Sequence, residues 1–174
     1  MRKIVLTLVG LAFGVTTAAA QNPFSDSLRS SWNGAKRNIT ESAEQMPEEN
    51  YGFKPVDSVR TFGQILSHVA GASYVFCAAA KGEKTPFTED QFEKTATTKA
   101  AIVKATTDAI AYCDGAFAAA TDATLGQMGP APFGSGQAPR ANPLIGQIVH
   151  DTEHYGNLVT YFRIKGMVPP SSRR

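Results

Sequence analysis

The chain has 174 residues, with 17 Lys plus Arg, 15 Asp plus Glu, two Cys and three His. That length fits one domain, and 43% apolar with 18% charged residues suits a globular protein and not a disordered one. Without Arg2 and Lys3, which fall in a segment read below as a leader, the charges balance at 15 against 15. A neutral domain with no basic run lacks the phosphate attraction that drives nucleic-acid binding, so no such partner is expected.

The N-terminus has three parts. Met1-Arg2-Lys3 is charged, residues 4–15 are almost continuously apolar, and residues 16–20 turn small, ending Ala18-Ala19-Ala20 before Gln21. This is the pattern of a secretory signal peptide with its cleavage site. The apolar run is shorter than the ~20 residues a membrane span needs, and no Cys follows it to carry a lipid. No second long apolar run is apparent. Residues 21–174 are therefore expected to form a single exported domain, periplasmic or secreted, with no membrane partner after cleavage.

Four helices account for that domain. Asn22-Pro23 suits a helix start, and Phe24, Leu28, Trp32, Ala35, Ile39 and Met46 form one apolar stripe ending near Met46-Pro47. Residues 47–58, with Gly52 and Pro55, read as a loop. Thr61 and Gln64 have capping-box spacing, and the helix they open is expected to run to about Ala80. Its inner face is Phe62, Ile65, Val69, Ala72 and Phe76, with Lys81-Gly82 as the stop. Thr88 and Gln91 repeat the box spacing, flanked by Phe87 and Phe92 as a staple, so a short turn is expected there. A third helix over about 97–121 has a looser core face of Ile102, Ala109, Tyr112 and Phe117. Residues 125–141 hold four Gly and three Pro and read as a long loop. Asn142-Pro143 opens the last helix, which ends near Lys165 with Gly166 as its stop. No strand shows period-2 alternation. The expected fold class is all-α, a four-helix bundle.

The chemistry rests on histidine. His150 and His154 are four residues apart on the last helix, so their rings leave one face about 6 Å apart, close enough to share a metal ion. His68 lies between Ile65 and Ala72 on the inward stripe of the second helix. All three can converge inside the bundle. The plain alternatives are a hydrogen-bonded core His at 68 and a surface pair at 150 and 154. There is no H-E-x-x-H motif, so the pair does not mark a zinc protease.

Two stretches resemble a known family. Arg60-Thr-Phe-Gly-Gln-Ile-Leu-Ser-His68-Val-Ala70 looks like the second-helix motif of the DinB/YfiT-like metalloprotein superfamily. His150-Asp-Thr-Glu-His154 and the residues that follow to Pro170 look like its last helix and exit. Trp32 and Met46-Pro-Glu-Glu49 also fit its first helix and turn. The resemblance implies a bundle connected up-down-down-up, with helices two and three parallel. It implies a divalent metal cofactor held by His68, His150 and His154. Characterised relatives include thiol-dependent S-transferases and isomerases, and homodimers are common among them, so pairing of two copies is an expectation.

Three neutral imidazoles leave a coordination position open for water or substrate, as catalytic sites do. Imidazole suits zinc, nickel, copper and iron, and manganese is admitted, so the donors select a divalent ion and not an element. Protons compete for the rings, and affinity is expected to fall below about pH 6. No carboxylate stands in an obvious general-base position. Glu153 should point away, and Asp151 reads as a solvated or capping group, with support of an imidazole as the alternative. Tyr74, Gln147, Asn157 and Tyr161 either border the cavity or simply pack. Gln64 is already explained by its cap.

Cys77 and Cys113 each lie about 16 residues into their helices. In a parallel pair, as the resemblance implies, the sulfurs sit at similar height. A disulfide is then one expectation and two buried thiols the other. Two readings of function follow. One is an exported metal-dependent enzyme acting on a small-molecule substrate by hydrolysis or thiol transfer; the other is a non-catalytic metal-binding or stress-response bundle.

Overall fold

Asp122, not Asn22, caps the first helix. Its carboxylate accepts from the backbone N–H groups of Phe24 and Ser25 at 3.2 and 2.7 Å, while Asn22 Oδ1 accepts from the Asp122 N–H at 3.0 Å. The exchange ties the start of that helix to the start of a short helix about 100 residues further along the chain, which a local cap would not do. These details come from a computed structural model that describes residues 21–173. The segment read as a leader, residues 1–20, lies outside the described residues.

The described residues are mostly helical. In chain order the helices are α1 Pro23–Gln45, α2 Phe62–Lys81, the short α3 Gln91–Thr95, α4 Lys99–Ala119, the short α5 Asp122–Leu125 and α6 Ala141–Ile164. Strands β1 Met128–Pro130 and β2 Gln137–Pro139 pair antiparallel. The expectation of a strandless loop there is corrected: three residues per strand are too few to show alternation.

The helix boundaries follow local chemistry. Thr61 and Gln64 form the expected capping box, with Thr61 N–H donating to Gln64 Oε1 at 2.8 Å and Gln64 N–H to Thr61 Oγ1 at 3.2 Å. Gly82 ends α2 at φ +75°, where a side chain would be strained. Thr98 caps α4 through Ala101 N–H. The box expected at Thr88 is not made; Thr88 Oγ1 donates to Asp90 instead, and the short helix begins at Gln91. Asn142 lies inside α6, which starts one residue earlier. Lys99 caps the other end of α1, its Nζ donating to the carbonyls of Glu44 and Met46 at 2.9 and 2.8 Å.

The long helices α1, α2, α4 and α6 meet along their apolar faces. α6 packs against both α1 and α2, and α4 lies against the same two helices. Trp32, 2% exposed, stacks on Phe117 at 4.7 Å between centroids and donates its indole N–H to Asp114. Phe24, the first residue of the predicted stripe, is exposed. α2 is apolar enough by length and hydropathy to cross a membrane, contrary to the expectation of no second such run. The cause is burial on nearly all sides, 89% of its most apolar window.

Cys77 and Cys113 are disulfide-bonded, Cα atoms 5.2 Å apart. The bond joins α2 and α4 at matching heights. Ile102 lies against Gly63 near both starts, and Lys81 sits over the Tyr112 ring further along. The two helices therefore run in the same direction, which places the crossover of residues 82–98 along the outside of α2, over His68.

Candidate metal centre

α2 carries His68 two turns after its start, and α6 carries His150 and His154 one turn apart. His68 is buried and the other two are half-buried. Each ring offers one nitrogen such that the three atoms lie within 4.8 Å of one another. His68 Nε2 faces His150 Nε2 at 3.2 Å, and ring centroids are 4.4–5.1 Å apart across the set. The helix spacing and the inward stripe thus bring together the three residues that the sequence singled out.

The donor set fits a divalent ion. Two facing Nε2 atoms can share one proton, but a third ring at the same point has no such explanation. Metal–nitrogen bonds of about 2.0–2.1 Å in a tetrahedral site place nitrogens roughly 3.4 Å apart, close to the observed pair. Two of the rings, His68 and His154, are also held toward the neutral form, the form that ligates. Burial, then the neighbouring His150 and His68, then Arg60 bring His154 down to about 3. His68 is lowered as well, first by burial, then by Arg60 and His150, with Glu89 and Glu93 opposing.

Two carboxylates were not anticipated. Glu93 Oε1 lies 3.4 Å from His68 Nδ1, and Glu89 Oε1 lies 3.6 Å from His68 Nε2. Both come from the crossover between α2 and α4. The Thr88, Gln91, Phe87 and Phe92 spacing signalled an ordered turn there, and nothing in it signalled direction. Asp151 is also corrected. It is fully buried rather than solvated or capping, its Oδ1 accepting from Gln147 Nε2 at 2.9 Å and lying 3.8 Å from His150 Nδ1. Burial pushes its carboxyl up, against the pull of His150 and Gln147. His150 Nδ1 and Asp151 Oδ2 have no hydrogen-bond partner.

The remaining named residues divide. Asn157 and Tyr161 line a cavity of about 420 Å³ with His154, Arg60, Ile65 and Pro55. Tyr161 donates its hydroxyl to the Arg60 carbonyl at 2.6 Å, and Asn157 Nδ2 is 3.4 Å from His154 Nδ1. Gln147 is buried against Ser73, and Tyr74 packs on Phe87 and Tyr112. Glu153 is exposed, as expected. A larger cleft of about 610 Å³ beside Arg37, Glu41 and Arg173 is lined by no His or Cys, so donor geometry and not volume locates the site.

No curated protein matches the chain in sequence. Among solved structures, a DinB-like protein from Bacillus cereus ATCC 10987 superposes with a TM-score of 0.66 at 16% identity, covering 83% of this chain and 95% of that one. A conserved protein from Enterococcus faecalis gives 0.62 at 12% identity, covering 82% and 96%. The mycothiol-dependent maleylpyruvate isomerase gives 0.63 at 13% identity, covering 77% of this chain but 60% of the isomerase. At these identities the likeness is one of fold. The model of the DinB superfamily matches residues 32–158, a span that takes in all three histidines, and the chain belongs to that superfamily.

Proposed function

We propose that the protein is an exported, divalent-metal-dependent enzyme acting on a small molecule. His68, His150 and His154 are its ligands, and the four long helices form the family's up-down-down-up bundle. The carrying observation is that donor atoms from α2 and α6 lie within 4.8 Å of one another. A bound divalent ion supplies Lewis acidity at a position that three protein donors leave open. The chain's own residues supply the rest. The cavity beside His154 has the size of a small-molecule site, with Arg60, Asn157 and Tyr161 among its polar groups. Glu89, with a side chain 43% exposed, stands 3.6 Å from His68 Nε2, where its carboxylate can accept a proton from an entering water or thiol.

Hydrolysis is the favoured reaction type, because it needs only water and Glu89 supplies the proton acceptor that the sequence reading lacked. Thiol S-transfer is the second type; it draws on the isomerase neighbour, whose name states dependence on mycothiol. The test is a screen of metal-loaded protein against esters, amides and thiol-dependent substrates, with His68→Ala and His154→Ala beside wild type. Both variants are expected to lose at least 100-fold of any activity found, about 2.7 kcal/mol in transition-state stabilisation. Activity that survives in both would show that this site does not perform it.

A further inference from the structure

We infer that Glu93, held by Arg60, is a positioning residue that keeps the His68 proton on Nδ1 and so leaves Nε2 bare for the ion. The inference rests on the metal-binding reading above and adds to it the group that orients one ligand. A neutral imidazole carries a single N–H, and the partner of one nitrogen decides which nitrogen remains free. Glu93 Oε1 is 3.4 Å from Nδ1, on the side of the ring away from His150, whose Nε2 faces His68 Nε2 at 3.2 Å.

The carboxylate is fixed from behind. Arg60 Nε and Nη2 donate to Glu93 Oε2 and Oε1 at 3.1 and 3.2 Å, a two-pronged contact that sets the plane of the carboxylate. The Glu93 side chain is only 18% exposed. Its helix α3 is anchored through Phe92, whose ring lies 5.1 Å from Phe87 and 5.9 Å from Tyr74. The crossover is pressed onto α2 one turn beyond His68. A Cβ on Gly71 would fall 1.9 Å from the Glu89 carbonyl oxygen, so only glycine admits this approach.

Glu89 is the competing influence, since a carboxylate 3.6 Å from Nε2 favours a proton there. It is 43% exposed, so water weakens its hold on the ring more than it weakens that of Glu93.

The test reads the tautomer directly, by nitrogen NMR of histidine-labelled, metal-free protein near neutral pH, and zinc affinity by competition with a chelator. The wild type is expected to show His68 protonated on Nδ1. Glu93→Ala should shift the proton toward Nε2 and weaken zinc binding 10–100-fold. Glu93→Gln, which keeps an acceptor oxygen, should retain the tautomer and most of the affinity. A wild-type His68 protonated on Nε2 overturns the inference, as does a Glu93→Ala variant that binds zinc within twofold of wild type. A wild type that binds no zinc overturns the metal reading instead; the tautomer, read without metal, tells the two failures apart.

Discussion

Changing Cys77 and Cys113 together to serine is expected to lower the unfolding free energy by about 4 kcal/mol. The bond closes a loop with a sequence separation of 36 residues, and the chain-entropy relation for a loop of that length gives roughly 3.8 kcal/mol at 25 °C. Both sulfurs are fully buried, so water does not stabilise the serine hydroxyls that replace them. With a urea slope of about 2 kcal/mol per M, the transition midpoint should fall by about 2 M. An unchanged midpoint would show that the bond restrains little in the unfolded chain. Zinc binding by the folded variant should persist, because Cys77 lies more than two turns beyond His68 on α2 and α4 carries none of the three histidines.

Zinc is expected to stabilise the wild type by about 4 kcal/mol when free zinc is a thousand times its dissociation constant, and to leave His154→Ala nearly unmoved. Thermal melts with and without zinc read the difference, and equal shifts in both proteins would contradict the assignment of His154. The metal-free chain carries a matching acid dependence. His68 and His154 titrate lower in the folded protein than the ordinary imidazole value of 6.5, His154 at about 3. The unfolded chain therefore binds protons that the folded one refuses. Stability contributed by these neutral rings is complete above pH 6.5 and is lost as pH falls toward the folded values. Asp151 acts in the opposite sense, because its raised carboxyl takes up a proton on folding. Comparing wild type with His154→Ala across pH isolates the imidazole contribution, and the variant should show the flatter acid limb.

The triad was legible because two periodic signals point inward independently. The i, i+4 spacing of His150 and His154 fixes a shared face, and the stripe from Ile65 to Ala72 fixes the direction of His68. Their meeting depends on how α2 packs on α6, which spacing alone does not specify. Glu89 and Glu93 escaped notice because the crossover has no helical period to aim a side chain. Asp151 was misjudged because the buried stripe of α6 runs through Leu144, Gln147, Asp151, Tyr155, Leu158 and Phe162, while His150 and His154 sit at its half-buried edge. The cap of α1 misled as well, since Asn22 has the right chemistry but the carboxylate that performs the role comes from Asp122. The carboxylates facing His68 and the Asp122 cap are tertiary contacts, which no local spacing announces.

The most direct measurement is the metal content of purified protein after dialysis against a mild chelator, wild type beside His68→Ala, by elemental analysis. One divalent ion per wild-type chain, and close to none in the variant, is the predicted result. Equal metal in the two proteins, or none in wild type even after incubation with zinc, nickel, iron and manganese, would contradict a three-histidine centre.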